Sequence, residues 1–399
     1  MIRKSLSLCA LWGGFALAPL CHAQDLPDDD PLVRRPGFSS YIMTVPADDE
    51  IAPSELEDTT AAVTTETLSP EFAALRDRID RTLLHYYQRP ESVSERSVWG
   101  VMHALIAYGV DTEVVTGTRK VNAIGWVCYN GPCKGQRLFY LDHGQLMPRQ
   151  GPGVQGHHGQ FLAMLAQSRV KRDFPIRVDG KNFTVNDLIE FEKRTCYPKT
   201  ELTFKLIALA HYLPSDATWK NDKGETWSIP RLIREEMAQP IVGAACGGTH
   251  RLTGISYAIN KRMARGEEFT GEWLRAREYE NAYHDYLMKL RNRDGSFSTQ
   301  WFAGRGESGD DEKKLETTGH MAEWMVYSLP KDQLTDPRVV DSVNFLNELL
   351  WRNRNKELKI GPKGHALHAL VMYQERMFGA QPGQRNVKLA KEPRKAPGK

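Results

Sequence analysis

Residues 151–168 read GPGVQGHHGQFLAMLAQS. A glycine-rich turn and two adjacent histidines give way to an apolar run of helical length. The same order recurs in WGVMHALIAYG (99–109), GGTHRLTGISYAI (247–259), TTGHMAEWMVYSLP (317–330) and GPKGHALHALVMYQE (361–375), each with a histidine at the mouth of an apolar helix, usually after Gly or Thr. TELTFKLIALAHYLP (200–214) aligns with the 317–330 copy through a shared Leu-Pro ending and has Phe204 in the histidine's place. The marked positions are His103, His158, Phe204, His250, His320 and His365, separated by 55, 46, 46, 70 and 45 residues. Such a period predicts repeated supersecondary units.

Between the apolar segments lie amphipathic ones. Residues 71–88, 185–194, 230–239, 271–290 and 337–350 carry apolar side chains at helical spacing with charges between them. Helices apolar nearly all round belong inside, and half-charged ones outside. The expectation is an all-α fold over residues 71–378: an α/α toroid of about six inner and five to six outer helices. At the second outer place, Ile124, Trp126, Val127, Leu138, Phe139 and Leu141 flank a turn. One inserted β-hairpin is predicted there, over 121–146.

The ends differ in kind. Arg3 and Lys4, an apolar run from Leu6 to Leu20 and Cys-His-Ala before Gln24 make a secretory signal peptide over residues 1–23, cleaved after Ala23. No later segment has the apolar length needed to cross a bilayer, so stable membrane insertion is not expected after cleavage. Residues 24–70 are acidic and rich in Pro and Thr, with clusters at Asp28–Asp30 and Asp48–Glu50, and read as a disordered linker. Residues 379–399 read as a basic disordered tail with Lys388, Lys391, Arg394, Lys395 and Lys399. A net charge of +3 over 399 residues makes no case for nucleic acid. The expected location is periplasmic or extracellular.

Export bears on the cysteines. Signal removal leaves Cys128, Cys133, Cys196 and Cys246, an even number that suggests disulfides. Cys128 and Cys133 bracket the turn sequence Tyr129-Asn130-Gly131-Pro132, where a hairpin bridge is plausible. Cys196 and Cys246 precede successive inner helices and are expected to approach each other at one rim.

Inner helices of a toroid run the same way, so their N-termini meet at one mouth. That mouth gathers His103, His158, His250, His320 and His365 beside helix amides suited to an anionic group. The candidate catalytic residues are His158, His250, His320, Glu316 and Glu323, because a carboxylate and a histidine at one cleft can share proton transfer. The candidate ligand-binding residues are His103, His157, Arg251, Trp301, Trp324 and His365. The bland alternatives are packing for each histidine, capping for Glu201 and Glu316, and a buried ion pair for Glu323.

With Asn292-Arg293-Asp294-Gly295-Ser296-Phe297, similar to that group's Asp-Gly-Ser/Gly-aromatic turns, the pattern resembles the terpenoid cyclase and protein prenyltransferase superfamily, squalene cyclases included, over residues 71–378. It is closer still to exported bacterial proteins of that fold with no assigned activity, which share blocks like Val154–Ser168 and Cys246–Tyr257. The known chemistries do not carry over. Gly309-Asp310-Asp311-Glu312 lacks the Asp-x-Asp-Asp acid of the cyclases, and no mature cysteine has the Asp two residues earlier that prenyltransferases use for zinc. Lanthionine cyclases, another toroid family, hold zinc on two cysteines and a histidine. Likeness to them implies a possible set of Cys196, Cys246 and His250, although those enzymes follow the second Cys directly with His.

Three functions remain open. The first is an enzyme on an extracytoplasmic saccharide or other polar or anionic small molecule, using histidine and glutamate for proton transfer and Trp301, Phe302 and Trp324 for stacking sugar rings. The second is a non-catalytic binding or scaffold protein without a cofactor. The third is a zinc enzyme. No Gly-x-Ser-x-Gly elbow argues for serine hydrolysis.

Overall fold

The apolar segments become the helices that lie deepest. In a computed structural model, which describes residues 68–385, they are α2 (Val98–Tyr108), α4 (Gln160–Gln167), α6 (Thr203–Tyr212), α8 (Thr249–Ala264), α10 (Asp311–Ser328) and α12 (Ile360–Phe378). In α4 every residue from Gln160 to Ala166 is buried, and in α6 every residue from Thr203 to Ala210. Each of these six helices packs on the next, and α12 packs back on α2. Gly364 permits that last contact, because a Cβ there would run into the backbone carbonyl of His103. All described residues belong to one unit, 37–399. The signal peptide, the linker up to residue 67 and the tail from 386 lie outside the described residues.

The amphipathic segments alternate with them: α1 (Pro70–Tyr87), α3 (Ala123–Cys128), α5 (Val185–Arg194), α7 (Ile229–Met237), α9 (Glu272–Lys289) and α11 (Pro337–Arg352). Each longer one buries a single stripe. In α7 this is Ile229, Leu232, Ile233 and Glu236, and in α5 it is Val185, Leu188, Ile189 and Glu192. The glutamates at the ends of these stripes meet cations of the inner layer, Arg251 and Lys205. The expected mostly helical chain is observed, and no described helix is long and apolar enough to cross a membrane.

The second outer place differs from expectation. It holds a helix, α3, whose Asn122 side chain caps the amide of Gly125 and whose Ile124, Trp126 and Val127 are all buried. Six residues are too few to display a helical period, and Trp126 beside Val127 mimics a strand. The β structure is small and scattered, with four hairpins among the described residues rather than one: β2–β3 (Glu113–Thr116, Arg119–Asn122), β4–β5 (Phe139–Asp142, Gln145–Pro148), β6–β7 (Pro175–Val178, Lys181–Thr184) and β8–β9 (Thr218–Lys220, Thr226–Ser228). A two-residue strand, β1 (Glu91–Ser92), adds to β2 in parallel.

The four cysteines among the described residues, Cys128, Cys133, Cys196 and Cys246, are free thiols. Cys128 ends α3, and the loop to Cys133 wraps the Trp126 indole, which lies against Gly131 and donates to the Pro132 carbonyl at 3.2 Å. The Cys196 thiol instead donates to the Glu192 carbonyl at 3.2 Å.

Candidate functional site

The inner helices bring a set of rings together, but not all at their mouths: His250 and Phe204 lie in first turns, His103 and His365 in second turns, His320 in the third turn of α10, and His157 just before α4. His320 and His365, on adjacent α10 and α12, are nearly stacked, with centroids 3.8 Å apart. His250 lies 5.5 Å from His320, 5.3 Å from His365 and 5.4 Å from His157. Phe204 closes one side at 5.3 Å from His250, in the place the repeat assigned to it. His103 meets His365 at 5.4 Å and lies against Trp99 at 3.9 Å.

Most of these histidines are anchored through Nδ1. His320 donates to the Glu316 carbonyl at 2.7 Å and His103 to that of Trp99 at 2.7 Å. A carbonyl only accepts, so Nδ1 carries the proton and Nε2 of the neutral ring keeps its lone pair. His365 and His368 use Nδ1 on the two oxygens of Glu323, at 2.7 and 2.6 Å, and His157 uses Nδ1 on Glu201 at 2.8 Å.

His250 is the exception. It is 8% exposed, and neither ring nitrogen has a hydrogen-bond partner. Leaving buried polar atoms unpaired costs about 1–3 kcal/mol each. The Cys246 thiol and one ring nitrogen each of His250 and His320 lie within 4.8 Å of one another, an arrangement that could hold a metal ion.

The backbone works to put Cys246 there. Cys246, Gly247 and Gly248 have φ of 49°, 62° and 81°, three successive left-handed residues before α8. Cysteine tolerates that region poorly. A Cβ on Gly247 would run into the Trp301 ring, so the glycine lets the indole lie over the turn. Trp301 itself has φ of 56° and faces His320 edge-on at 5.5 Å.

Burial sets the protonation of the metal-free cluster. It pushes His250 and His320 well below the usual histidine range, with neighbouring histidines adding to the effect, and it lowers His103 to about 3. Burial also pushes the Cys246 thiol up to about 12, helped by the carboxylates of Glu316, Glu323 and Glu201. For Glu323 burial raises the carboxyl, but His365 and His368 outweigh it and hold it well below its ordinary value.

Several sequence expectations need correcting. His158 is exposed and outside the cluster, and His157 takes its place, because α4 begins only at Gln160 after a left-handed Gly159. Cys196 is buried on its own carbonyl contact and is not in the metal-capable group; His320 is. Glu316 lies within α10, not before it, and its exposed side chain pairs with Lys313 at 2.9 Å. Arg251 is spent on Glu236, Gln239 and the Pro240 carbonyl. Trp324 is fully buried, donating to Ser256 at 2.9 Å, and offers no face for a sugar. Glu323 takes the buried ion-pair role weighed for it. His368, which adds no specificity in the sequence alone, joins His365 on Glu323, and its spacing of three from His365 places both on one face of α12.

Beside the cluster, a small cleft with a cavity volume of about 40 Å³ opens between the end of α1, α2 and α12, lined by Tyr86, Tyr108, Lys363 and His103 among others. In comparisons with known proteins, no family model, curated protein or solved structure matches the chain.

Proposed function

We propose that the chain is an exported α/α toroid of the terpenoid cyclase and prenyltransferase type, built around a zinc centre on Cys246, His250 and His320. This centre binds, and acts on, a polar ligand, a saccharide first. The ring reading is supported by the cyclic packing of the six buried helices and by the outer helices between them. Export rests on the sequence of residues 1–23.

The zinc reading is carried by one observation: both ring nitrogens of the buried His250 lack a partner, beside a thiol and a second histidine. The donors fit the ion. One sulfur and imidazole nitrogens are zinc ligands, at about 2.3 and 2.0–2.1 Å. That places donors roughly 3.3–3.6 Å apart, so the group has to draw in by up to about 1.2–1.5 Å. His320 also has the outer hydrogen bond that fixes a ligating imidazole. The carboxylates bearing on Cys246 favour a cation there.

Zinc would supply Lewis acidity toward an oxygen of the ligand. The chain supplies the rest. His157, half-buried and held at Nδ1 by Glu201, offers Nε2 for proton transfer next to His250. Trp301 shelters His320 on the side of the Cys246 turn.

The test is His250→Leu in the full chain. The purified wild type is expected to carry about one zinc per chain, and the variant none. Metal-free His250→Leu should unfold at higher urea, gaining about 1–3 kcal/mol from the loss of the stranded nitrogens. Equal zinc content in both proteins, or a less stable variant, would sink the reading.

A further inference from the structure

Cys246, His250 and His320 are the three donors that lie within 4.8 Å of one another; His365 stands outside that group, but its ring is close by. His365 lies 5.3 Å from His250, as near as His320 does at 5.5 Å, and the two face His250 as a nearly stacked pair. Its Nδ1 is fixed on Glu323 at 2.7 Å, which leaves Nε2, on the far side of the ring, as the nitrogen available to a metal. A ring nitrogen bonded to a carboxylate is the arrangement that orients a metal-ligating histidine and raises its basicity. Glu323 is itself 4% exposed and tied by its other oxygen to His368 at 2.6 Å, so its carboxylate cannot turn away.

The other histidines are less well placed. His103 contacts His365 but has no ring contact with His250, and its Nδ1 is on a backbone carbonyl. His157 reaches His250 at 5.4 Å from a loop and is half-buried, toward solvent.

We propose that His365 is the fourth protein ligand of this centre, so that the resting site is a closed set of one thiolate and three imidazoles, with Glu323 as the group that positions His365. The proposal rests on the zinc reading above. A ligand that reaches the metal must then take the place of one of the four donors. His365 is the donor whose departure leaves both a charge partner, Glu323, and a neighbour, His103, beside the cleft. This gives the mouth a resting state and an open state set by exchange at one histidine.

Coordination is read directly, without turnover. X-ray absorption on the zinc-loaded full chain should fit three nitrogens and one sulfur. Cobalt(II) in place of zinc should give the strong visible bands of a four-coordinate site with a thiolate charge-transfer band. His365→Ala should weaken cobalt binding at least about tenfold and reduce the visible bands as solvent enters, and added imidazole should restore them. Glu323→Gln should weaken binding but keep the four-coordinate bands.

A wild type that takes up no zinc or cobalt would overturn both this inference and the zinc reading. A wild type that binds with only two nitrogens, or a His365→Ala protein whose bands are unchanged and insensitive to imidazole, would overturn the inference alone. The absorption fit on the wild type decides the matter even where the variant does not fold.

Discussion

The rims that lead into α6 and α8 start from similar residues and end differently. Before α6 a cysteine, Cys196, stands by a buried cation, Lys205; before α8 a cysteine, Cys246, stands by a buried histidine, His250. At the first rim the charges answer each other, although Glu192 Oε2 makes no hydrogen bond beyond its ion pair. The Lys205 ammonium reaches Glu192 at 2.7 Å, the Thr195 hydroxyl at 2.5 Å and the Thr195 carbonyl at 2.8 Å, and the Cys196 thiol donates to Glu192. At the second the histidine has no partner and the cysteine sits in a left-handed conformation. Evolution tolerates unmet buried groups chiefly where something else is to meet them. Residue type alone does not separate the two rims, and the partners of the cysteine and of its buried neighbour do.

The sharpest way to test the contrast is to break the satisfied rim. Glu192→Gln strands the Lys205 ammonium, with both side chains 2–3% exposed, and should cost about 3–5 kcal/mol. Urea unfolding of the metal-free protein measures it. Replacing the pair together, Glu192→Gln with Lys205→Met, should recover most of that loss. Zinc affinity of the folded fraction should not move. A large fall in affinity with little loss of stability would show that the two rims are not distinct.

A third buried group resolves its burial in another way. Glu280 on α9 is 4% exposed and one of its oxygens has no partner. Burial pushes its carboxyl from an ordinary 4.5 up to about 7, while the Ser256 hydroxyl and Arg277 pull it back only in part. The folded protein therefore holds this proton more tightly than the unfolded chain. Stability from this group is present at low pH and is lost as pH rises from about 4.5 through about 7. Glu280→Gln should remove that slope and be more stable than wild type above pH 7, by about 3 kcal/mol at most. Stability curves at pH 5 and pH 8 check the sign, and an unchanged slope would mean that Glu280 is charged and paired.

The difference between the rims also marks where sequence reading stops. The inner helices were legible because segments such as Phe161–Ala166 are apolar on every face, and the outer ones because Val185, Leu188, Ile189 and Glu192 keep one stripe. α3 was not, being too short to show a period. The hairpin turns at His143-Gly144 and Asp179-Gly180 carry the Gly signal of a tight turn and could have been read. The repeat brought His103, His250, His320 and His365 to one place but misplaced His158 by a residue, because Gly159 delays α4. No local pattern could pair Cys246 with His320, since that contact depends on packing between α8 and α10. The signal that Cys246 is unusual is likewise backbone geometry, and the sequence offers only the two glycines after it.

The smallest effect on stability should come from the cysteines themselves, and it separates the rims most cleanly. Cys196 is fully buried and hydrogen-bonded, so Cys196→Ala loses packing and a weak donor contact and should cost roughly 1 kcal/mol. Cys246 is only partly buried and has φ of 49°. Cys246→Gly gives up some packing and adds unfolded-state entropy but relieves a conformation that costs a non-glycine residue about 1 kcal/mol. The terms oppose each other, and the metal-free variant should match wild type within about 0.5 kcal/mol. Zinc binding should behave in the opposite sense, intact in Cys196→Ala and lost in Cys246→Gly. A Cys246→Gly protein that keeps its zinc would take the thiol out of the centre. One that unfolds much more easily would mean that the left-handed turn is held for stability, and the contrast between the rims would lose its strongest support.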